Sequence, residues 1–465
     1  MNIWATKTPA QIDDASEHTQ LKKNLGALDL AALGIGSVVG TGIFVATGQG
    51  AQLAGPGVLL SFIVAAITCG FCALTYSELA CMFPVAGSTY SYSYVAFGEV
   101  IAWIIGWDLM LEYLVSASAV ASGWSTIFIP LMESVGVHFP KALTVTPLQG
   151  GIIDLPAVLL TLVVSYILYL GIRESAKVNN WIVLIKVAVI LLFIFLGARH
   201  VSLANLHPMM PFGWKGVMAG AATIFFAYIG FDAVSTAAEE TKNPKRDIPI
   251  GLMLCLGAVV LLYVAVAFVL TGVVPYQQID VGNALPAALA RIGIRWGEAL
   301  VATGAIIGMI STLLITLYGQ IRIFMVMARD GLLPAAFAKV HPQHKTPHIC
   351  TWITGAVTAL IAGCFPLPMI IELCNIGTLF AFVFVSIGVI VLRKTQPNIE
   401  RKFKTPGVPF TPLITIAFCG YLMCSLPMVT WVRFGVWLLA GLIIYFIYSI
   451  RHSKLQEQAS AKKAP

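Results

Sequence analysis

Lys186 is the residue of this chain best placed to do chemistry. It stands within Trp181–Ile190, the most apolar surroundings of any lysine here. An ionisable side chain inside a membrane-length apolar run is by default a functional one, and a lysine amine can take up and release a proton. Against this stands snorkelling, since Lys186 lies about two turns from the nearer interface. Asp108 and Glu112 stand four apart and share one face of a helix. They are suited to relaying protons or pairing with a cation, or to a plain structural hydrogen bond. Asp232 follows a glycine break and suits bonding to unwound backbone or capping the helix after it. Met309, in Met309-Ile310-Ser311-Thr312, is a soft apolar wall if its helix lines a site, and core filler otherwise.

Two interrupted apolar segments must position these groups. One reads Leu33-Gly34-Ile35-Gly36-Ser37-Val38-Val39-Gly40-Thr41-Gly42-Ile43-Phe44 and the other Phe225-Phe226-Ala227-Tyr228-Ile229-Gly230-Phe231-Asp232. Lipid cannot hydrogen-bond a free backbone group, so a break at membrane depth survives only where it lines a cavity or meets a ligand. The first helix should unwind over Val39–Gly42, and a half-helix restarting near Ile43 offers N–H groups and a positive dipole end to an anion. Thr41 adds a hydroxyl. The carbonyls of Val38, Phe226, Ala227 and Ile229 accept from an ammonium. Donors on one side and acceptors on the other suit a zwitterion, the α-amino acid core. Close helix packing is the bland reading of Gly36 and Gly40, but a matched pair of breaks in two halves of a chain points to a transporter's substrate site.

The bulk composition agrees with a membrane setting. Of 465 residues, 58% are hydrophobic and 11% charged, against about 25% charged in soluble proteins, and the mean hydropathy is +0.88. Apolar runs of the length a bilayer requires fall near 28–47, 58–81, 101–128, 155–171, 180–197, 217–238, 250–274, 297–320, 349–365, 369–392, 410–428 and 431–450. The fold expected is an all-α polytopic membrane protein with twelve transmembrane helices, the first and sixth discontinuous. The breaks lie five spans apart, an odd number, so two five-helix copies must be related by inversion. The divisions expected are a cytoplasmic tail 1–27, repeats 28–200 and 201–395, two extra helices over 396–451 and a tail 452–465.

With both termini cytoplasmic, twenty-one Lys and Arg fall on the inner side, six outside, and Lys186 within a span. That is a positive-inside pattern, so the net charge of +7 reports topology and anionic lipid, not nucleic acid. The acidic tail lacks a cleavage site and is not read as a signal peptide. Cys69 and Cys72 read as apolar filler; His341, His344 and His348 read as loop polarity rather than a metal site. Glu78 is placed at the end of the second span. Glu239 and Glu240, before Thr241–Pro249, suit a cytoplasmic latch or a solvated loop. No phosphate-binding loop, H-E-x-x-H or G-x-S-x-G occurs, so no enzyme activity, metal or cofactor is expected.

The order of motifs is informative. Gly36–Phe44, Phe226–Asp232 and Glu239–Pro244 resemble the amino acid–polyamine–organocation permeases, and Tyr318–Arg322 with Ala328–Pro334 resemble bacterial members of its cationic amino acid transporter branch. The resemblance covers nearly the whole chain. It implies a LeuT-like five-plus-five inverted repeat and secondary active amino acid transport. It places carboxylate contacts on Thr41 and Gly42, beside Gly40, and ammonium contacts on the carbonyls of Val38, Phe226, Ala227 and Ile229, with Phe231 next to them. Lys186 takes the place of the coupling ion of sodium-driven relatives, making the proton the expected coupling ion. Members that prefer cationic substrates carry a small polar residue where Met309 stands, so a neutral substrate is expected. The reading is proton symport of amino acids across a bacterial inner membrane; exchange without protons, cationic substrates and a nutrient sensor are the alternatives, and no accessory subunit is named.

Overall fold

Proline and glycine punctuate the helices. Pro156, Pro244 and Pro368 stand in the first turns of helices, where a missing N–H costs nothing, and Gly55-Pro56-Gly57 makes the tight turn between two others. The computed structural model describes residues 3–7, 25–83, 87–171, 176–232, 234, 241–344 and 346–461. Its helices are α1 (Ala27–Val38), α2 (Thr47–Ala54), α3 (Val58–Met82), α4 (Ser88–Ala96), α5 (Glu99–Ser134), α6 (Leu155–Tyr169), α7 (Ala176–Ala198), α8 (Gly213–Ile224), α9 (Pro244–Val273), α10 (Ala284–Arg291), α11 (Arg295–Arg329), α12 (His348–Cys364), α13 (Leu367–Thr395), α14 (Phe410–Cys424), α15 (Met428–Ile444) and α16 (Lys454–Ala461). Among the described residues there is no strand, only an isolated bridge from Leu25 to Thr241.

Among the described residues, seven helical stretches are long and apolar enough to cross a membrane, the first being Gly42–Met82, which takes in α2, the turn at Gly55–Gly57 and α3, and α1, α6, α12 and α14 are shorter apolar helices. The chain is thus an all-helical, multi-pass membrane protein. Several helices outrun the sequence expectation, α9 by starting at Pro244 rather than near 250. α5 extends to Ser134 through Pro130, and α11 continues past residue 320 to Arg329. This continuation moves Arg322 from the expected loop onto a helix. Glu78 does not end α3 but lies buried inside it, accepting from Arg393 Nε at 2.9 Å, Arg393 Nη2 at 2.7 Å and Thr405 N at 2.8 Å. The expected latch at Glu239 and Glu240 and most of the tail 1–27 lie outside the described residues.

Both breaks occur. α1 stops at Val38, Val39 is extended, and helical winding resumes at Gly42 as a π turn over Gly42–Ala46. α8 tightens into a 3₁₀ turn over Phe225–Tyr228; Ile229 is extended and Gly230 takes φ +108°, open to glycine at little cost. The two breaks touch: a Cβ at position 42 would stand 2.3 Å from Ala227 Cα, so only glycine admits this approach. α5 and α11 pack along their lengths and flank the meeting point, while α3 and α9 back it. Tyr228 donates to Phe62 O at 3.0 Å, and Phe62, Tyr228 and Tyr263 pack ring against ring at 5.5 to 6.2 Å.

Candidate functional site: a cavity at two helix breaks

The last carbonyls of α1 run out of partners inside the helix: the cap closes one, and two more find partners elsewhere. Ile35 O accepts from Val39 N at 2.8 Å. Val38 O accepts from Tyr263 Oη at 3.1 Å. Gly36 O accepts from Lys186 Nζ at 2.6 Å, and the same ammonium donates to Thr312 Oγ1 at 2.8 Å. Lys186 is 1% exposed. Its side chain runs inward across α1 to α11 instead of along α7 to the interface, so snorkelling does not describe it.

A cavity of about 110 Å³ opens beside this bond. From the first break it is lined by Ser37, Val38, Gly40, Thr41 and Gly42, and from the second by Phe226, Ile229, Gly230 and Asp232. α5 contributes Glu112, Tyr113, Ser116 and Val120, and α11 presents the stripe Thr312, Ile315, Thr316, Gly319 and Ile323 together with Tyr318 and Arg322. Thr41 Oγ1 is buried and has no hydrogen-bond partner among the described residues. A buried hydroxyl left unpaired costs about 1–3 kcal/mol, which a ligand in the cavity would relieve. Thr41 and Gly42, where helical winding restarts, line the same space, and the start of a helix carries unpaired N–H groups and the positive end of its dipole.

Of the residues singled out in the sequence, Val38, Gly40, Thr41, Gly42, Phe226, Ile229, Glu112 and Asp232 come together at the cavity. Four do not. Ala227 is buried against Gly42, and Phe231 is buried on Phe382 at 5.3 Å. Met309 extends the α11 stripe one turn beyond Thr312, where the helices have closed, and is fully buried away from the lining. Asp108 turns toward α13: a Cβ on Gly377 would lie 2.9 Å from its Oδ1, and neither of its oxygens has a partner among the described residues. Asp108 and Glu112 therefore diverge, one into helix packing and one onto the cavity. The carbonyl of Phe226 also closes the 3₁₀ turn by accepting from Ile229 N at 3.2 Å. Sequence reasoning missed Thr312, Thr316, Ser116 and Arg322. The helical spacing of 312, 315, 316, 319 and 323 was the signal available for α11.

Apolar helices that carry two touching breaks around a cavity with both hydroxyl and apolar walls have the architecture of a membrane transporter. Comparison with known proteins agrees. The family model described as amino acid permease matches residues 25–449. The branched-chain amino acid permease BcaP of Bacillus subtilis is 49% identical over 447 residues, covering 95% of this chain and 96% of the relative. The methylthioribose transporter of the same organism is 48% identical over 459 residues, covering 98% and 100%. Human cationic amino acid transporter 4 is 31% identical over 572 aligned positions, covering 95% and 89%. The chain belongs to the amino acid permease family.

Proposed function

We propose that this protein takes up neutral L-amino acids by proton symport with alternating access. The observation that carries the reading is Lys186: its ammonium ties the end of the broken α1 to Thr312 of the cavity wall. Loss of the proton turns a cationic donor into a neutral amine and weakens both bonds, so protonation and the position of α1 are coupled. The substrate carboxylate sits on Thr41 and Gly42 and its ammonium on carbonyls at the breaks. Val38, Val120, Phe226, Ile229 and Ile315 give the side chain an apolar wall, as a branched aliphatic group requires. In this reading the chain crosses the membrane twelve times as a LeuT-like five-plus-five inverted repeat plus two helices. α1 with α2, and α8 with the segment beyond Asp232, are its broken spans, both termini are cytoplasmic, and the membrane is the bacterial plasma membrane.

A second substrate class has its own observation. Ser37, Thr41, Ser116, Thr312 and Thr316 give the cavity many hydroxyls, and a relative named a methylthioribose transporter spans nearly all of this chain. A neutral thiosugar would exchange hydrogen bonds with such a lining.

Uptake of labelled alanine, leucine and arginine into proteoliposomes, with and without an inward pH gradient, tests the reading. Gradient-driven accumulation of leucine or alanine that exceeds arginine is expected. Uptake that ignores the gradient and needs internal amino acid would replace symport by exchange; methylthioribose uptake without amino acid uptake would replace the substrate.

A further inference from the structure

The cavity is longer than one amino acid backbone: Arg322 and Glu112 lie toward one end of it, and Asp232 stands two residues beyond Gly230 of the second break. On α5, Gly123 marks the level of the break: a Cβ there would stand 2.3 Å from Thr41 Cγ2. On α11, Thr312 marks the same level, 3.2 Å from where Gly40 would carry a Cβ. Ten residues separate Thr312 from Arg322 and eleven separate Gly123 from Glu112, which at 1.5 Å per residue is about 15 Å on each helix. Gly319 packs against Tyr113, where a Cβ would stand 2.6 Å from Cε1, fixing the two helices in register. Arg322 and Glu112 thus line the cavity at one level, roughly three turns from the break, with Tyr113 within the fields of both and of Asp232.

The direction of that displacement is also fixed. It leads to the end of α5 that begins at Glu99 and the end of α11 that closes at Arg329. Described segments near both termini sit at this end: Glu99 N donates to Ala5 O at 3.0 Å, and Lys454 N donates to Asp330 O at 3.1 Å. With cytoplasmic termini, this is the exit side. Arg322 lays its guanidinium over the Tyr318 ring at 4.5 Å, and arginine keeps its charge at every physiological pH. Two carboxyl side chains, Glu112 and Asp232, share the cavity with it.

We propose a second, exit-side subsite for the zwitterionic backbone of an amino acid, in which Arg322 takes the carboxylate and Glu112 with Asp232 takes the ammonium. It rests on the amino acid reading above. The break holds the substrate through backbone donors and acceptors; the subsite holds it through side chains, the guanidinium of Arg322 facing the carboxylate and the carboxyl pair Glu112 and Asp232 facing the ammonium. A zwitterion released from the break passes this station before reaching the cytoplasm, so the station governs affinity from the inner face and leaves outer-face affinity to the break. Guanidinium–carboxylate bonding is planar and bidentate, so a lysine at 322 replaces the charge but not the fork.

The test compares leucine transport in right-side-out and inside-out membrane vesicles carrying the wild-type chain, Arg322→Gln or Arg322→Lys. Arg322→Gln should raise the KM at the cytoplasmic face about tenfold or more, the effect of losing a charged hydrogen bond, and leave the outer-face KM within roughly twofold. Arg322→Lys should recover part of the loss, which also shows that the site remains folded. Leucinol, which has no carboxylate, should compete at the inner face equally well in wild type and Arg322→Gln. An inner-face KM unchanged by Arg322→Gln, or leucinol competition that falls with it, overturns the subsite while leaving the transporter reading intact. Absence of leucine transport by the wild-type chain overturns both.

Discussion

At the scale of the residue, Lys186 links the proposed coupling ion to the helix that closes over the substrate. An ammonium buried to 1% exposure between a helix-end carbonyl and a threonine hydroxyl is held by charge-assisted bonds. Lys186→Met keeps the apolar stem and removes both donors. Gly36 O is then left without the amine, at a cost on the order of 1–3 kcal/mol. The expected outcome is a variant that still inserts and exchanges substrate but no longer accumulates leucine under an inward pH gradient, read as the ratio of gradient-driven to exchange flux. Full accumulation by Lys186→Met would return the residue to a structural role. Chain position alone left Lys186 divided between snorkelling and coupling, because an unbranched side chain reaches either way; the contacts of its Nζ decide the direction.

At the scale of the element, the start of α6 carries a pH-dependent cap. Asp154 accepts from Ala157 N at 3.2 Å and from Ser125 Oγ at 2.6 Å, tying α6 to α5. Burial pushes its carboxyl up from 3.8 to about 6, although both hydrogen bonds oppose the shift. The folded state therefore holds this proton more tightly than the unfolded chain does. The contribution of Asp154 to stability is greatest below about pH 4, declines as pH rises from there to about 6, and is lowest above that. Asp154→Asn keeps an acceptor for Ala157 N and abolishes the titration. The fall in melting temperature of detergent-purified protein between pH 4 and pH 7 should then be smaller in Asp154→Asn than in wild type by a few degrees. Parallel curves would rule out the cap as the titrating group. The opposite arrangement holds inside α3, where Glu78 is buried but paired with Arg393 and approached by Arg401 at 3.4 Å, so the loop after α13 is anchored by charge.

At the scale of the whole molecule, the placement of lysine and arginine predicts orientation. Counted on twelve spans, the split of twenty-one basic residues on one side and six on the other predicts cytoplasmic termini by the positive-inside rule. A reporter that is active only in the cytoplasm should work when fused after Pro465, and one that needs the external compartment should work when inserted at the exposed turn near Gly150. The reverse pattern would invert the molecule and place the proposed exit subsite on the outer face. The two described termini meet at one end: Lys7 Nζ pairs with Asp330 at 2.7 Å and Lys454 N reaches the carbonyl of the same residue. A single crossing count therefore has to satisfy both.

The sequence by itself determined that the chain is an all-helical membrane protein, where its two helices break, and which residues stand at the breaks. Those features are local: an apolar run of membrane length is written in composition, and a glycine-rich interruption is written in the residues that interrupt it. Tertiary structure decided which faces point inward. A helix apolar nearly all round has no periodicity to reveal its buried side, so Asp108 and Glu112 look equivalent in sequence and part company once α13 and the cavity take different sides of α5. For the same reason Met309 was expected in the wall and lies beyond it, while Arg322 was expected in a loop and lines the cavity. The length of α11 and its register against α5, set where Gly319 meets Tyr113, come from packing between distant segments, and no stretch of either helix carries that information alone.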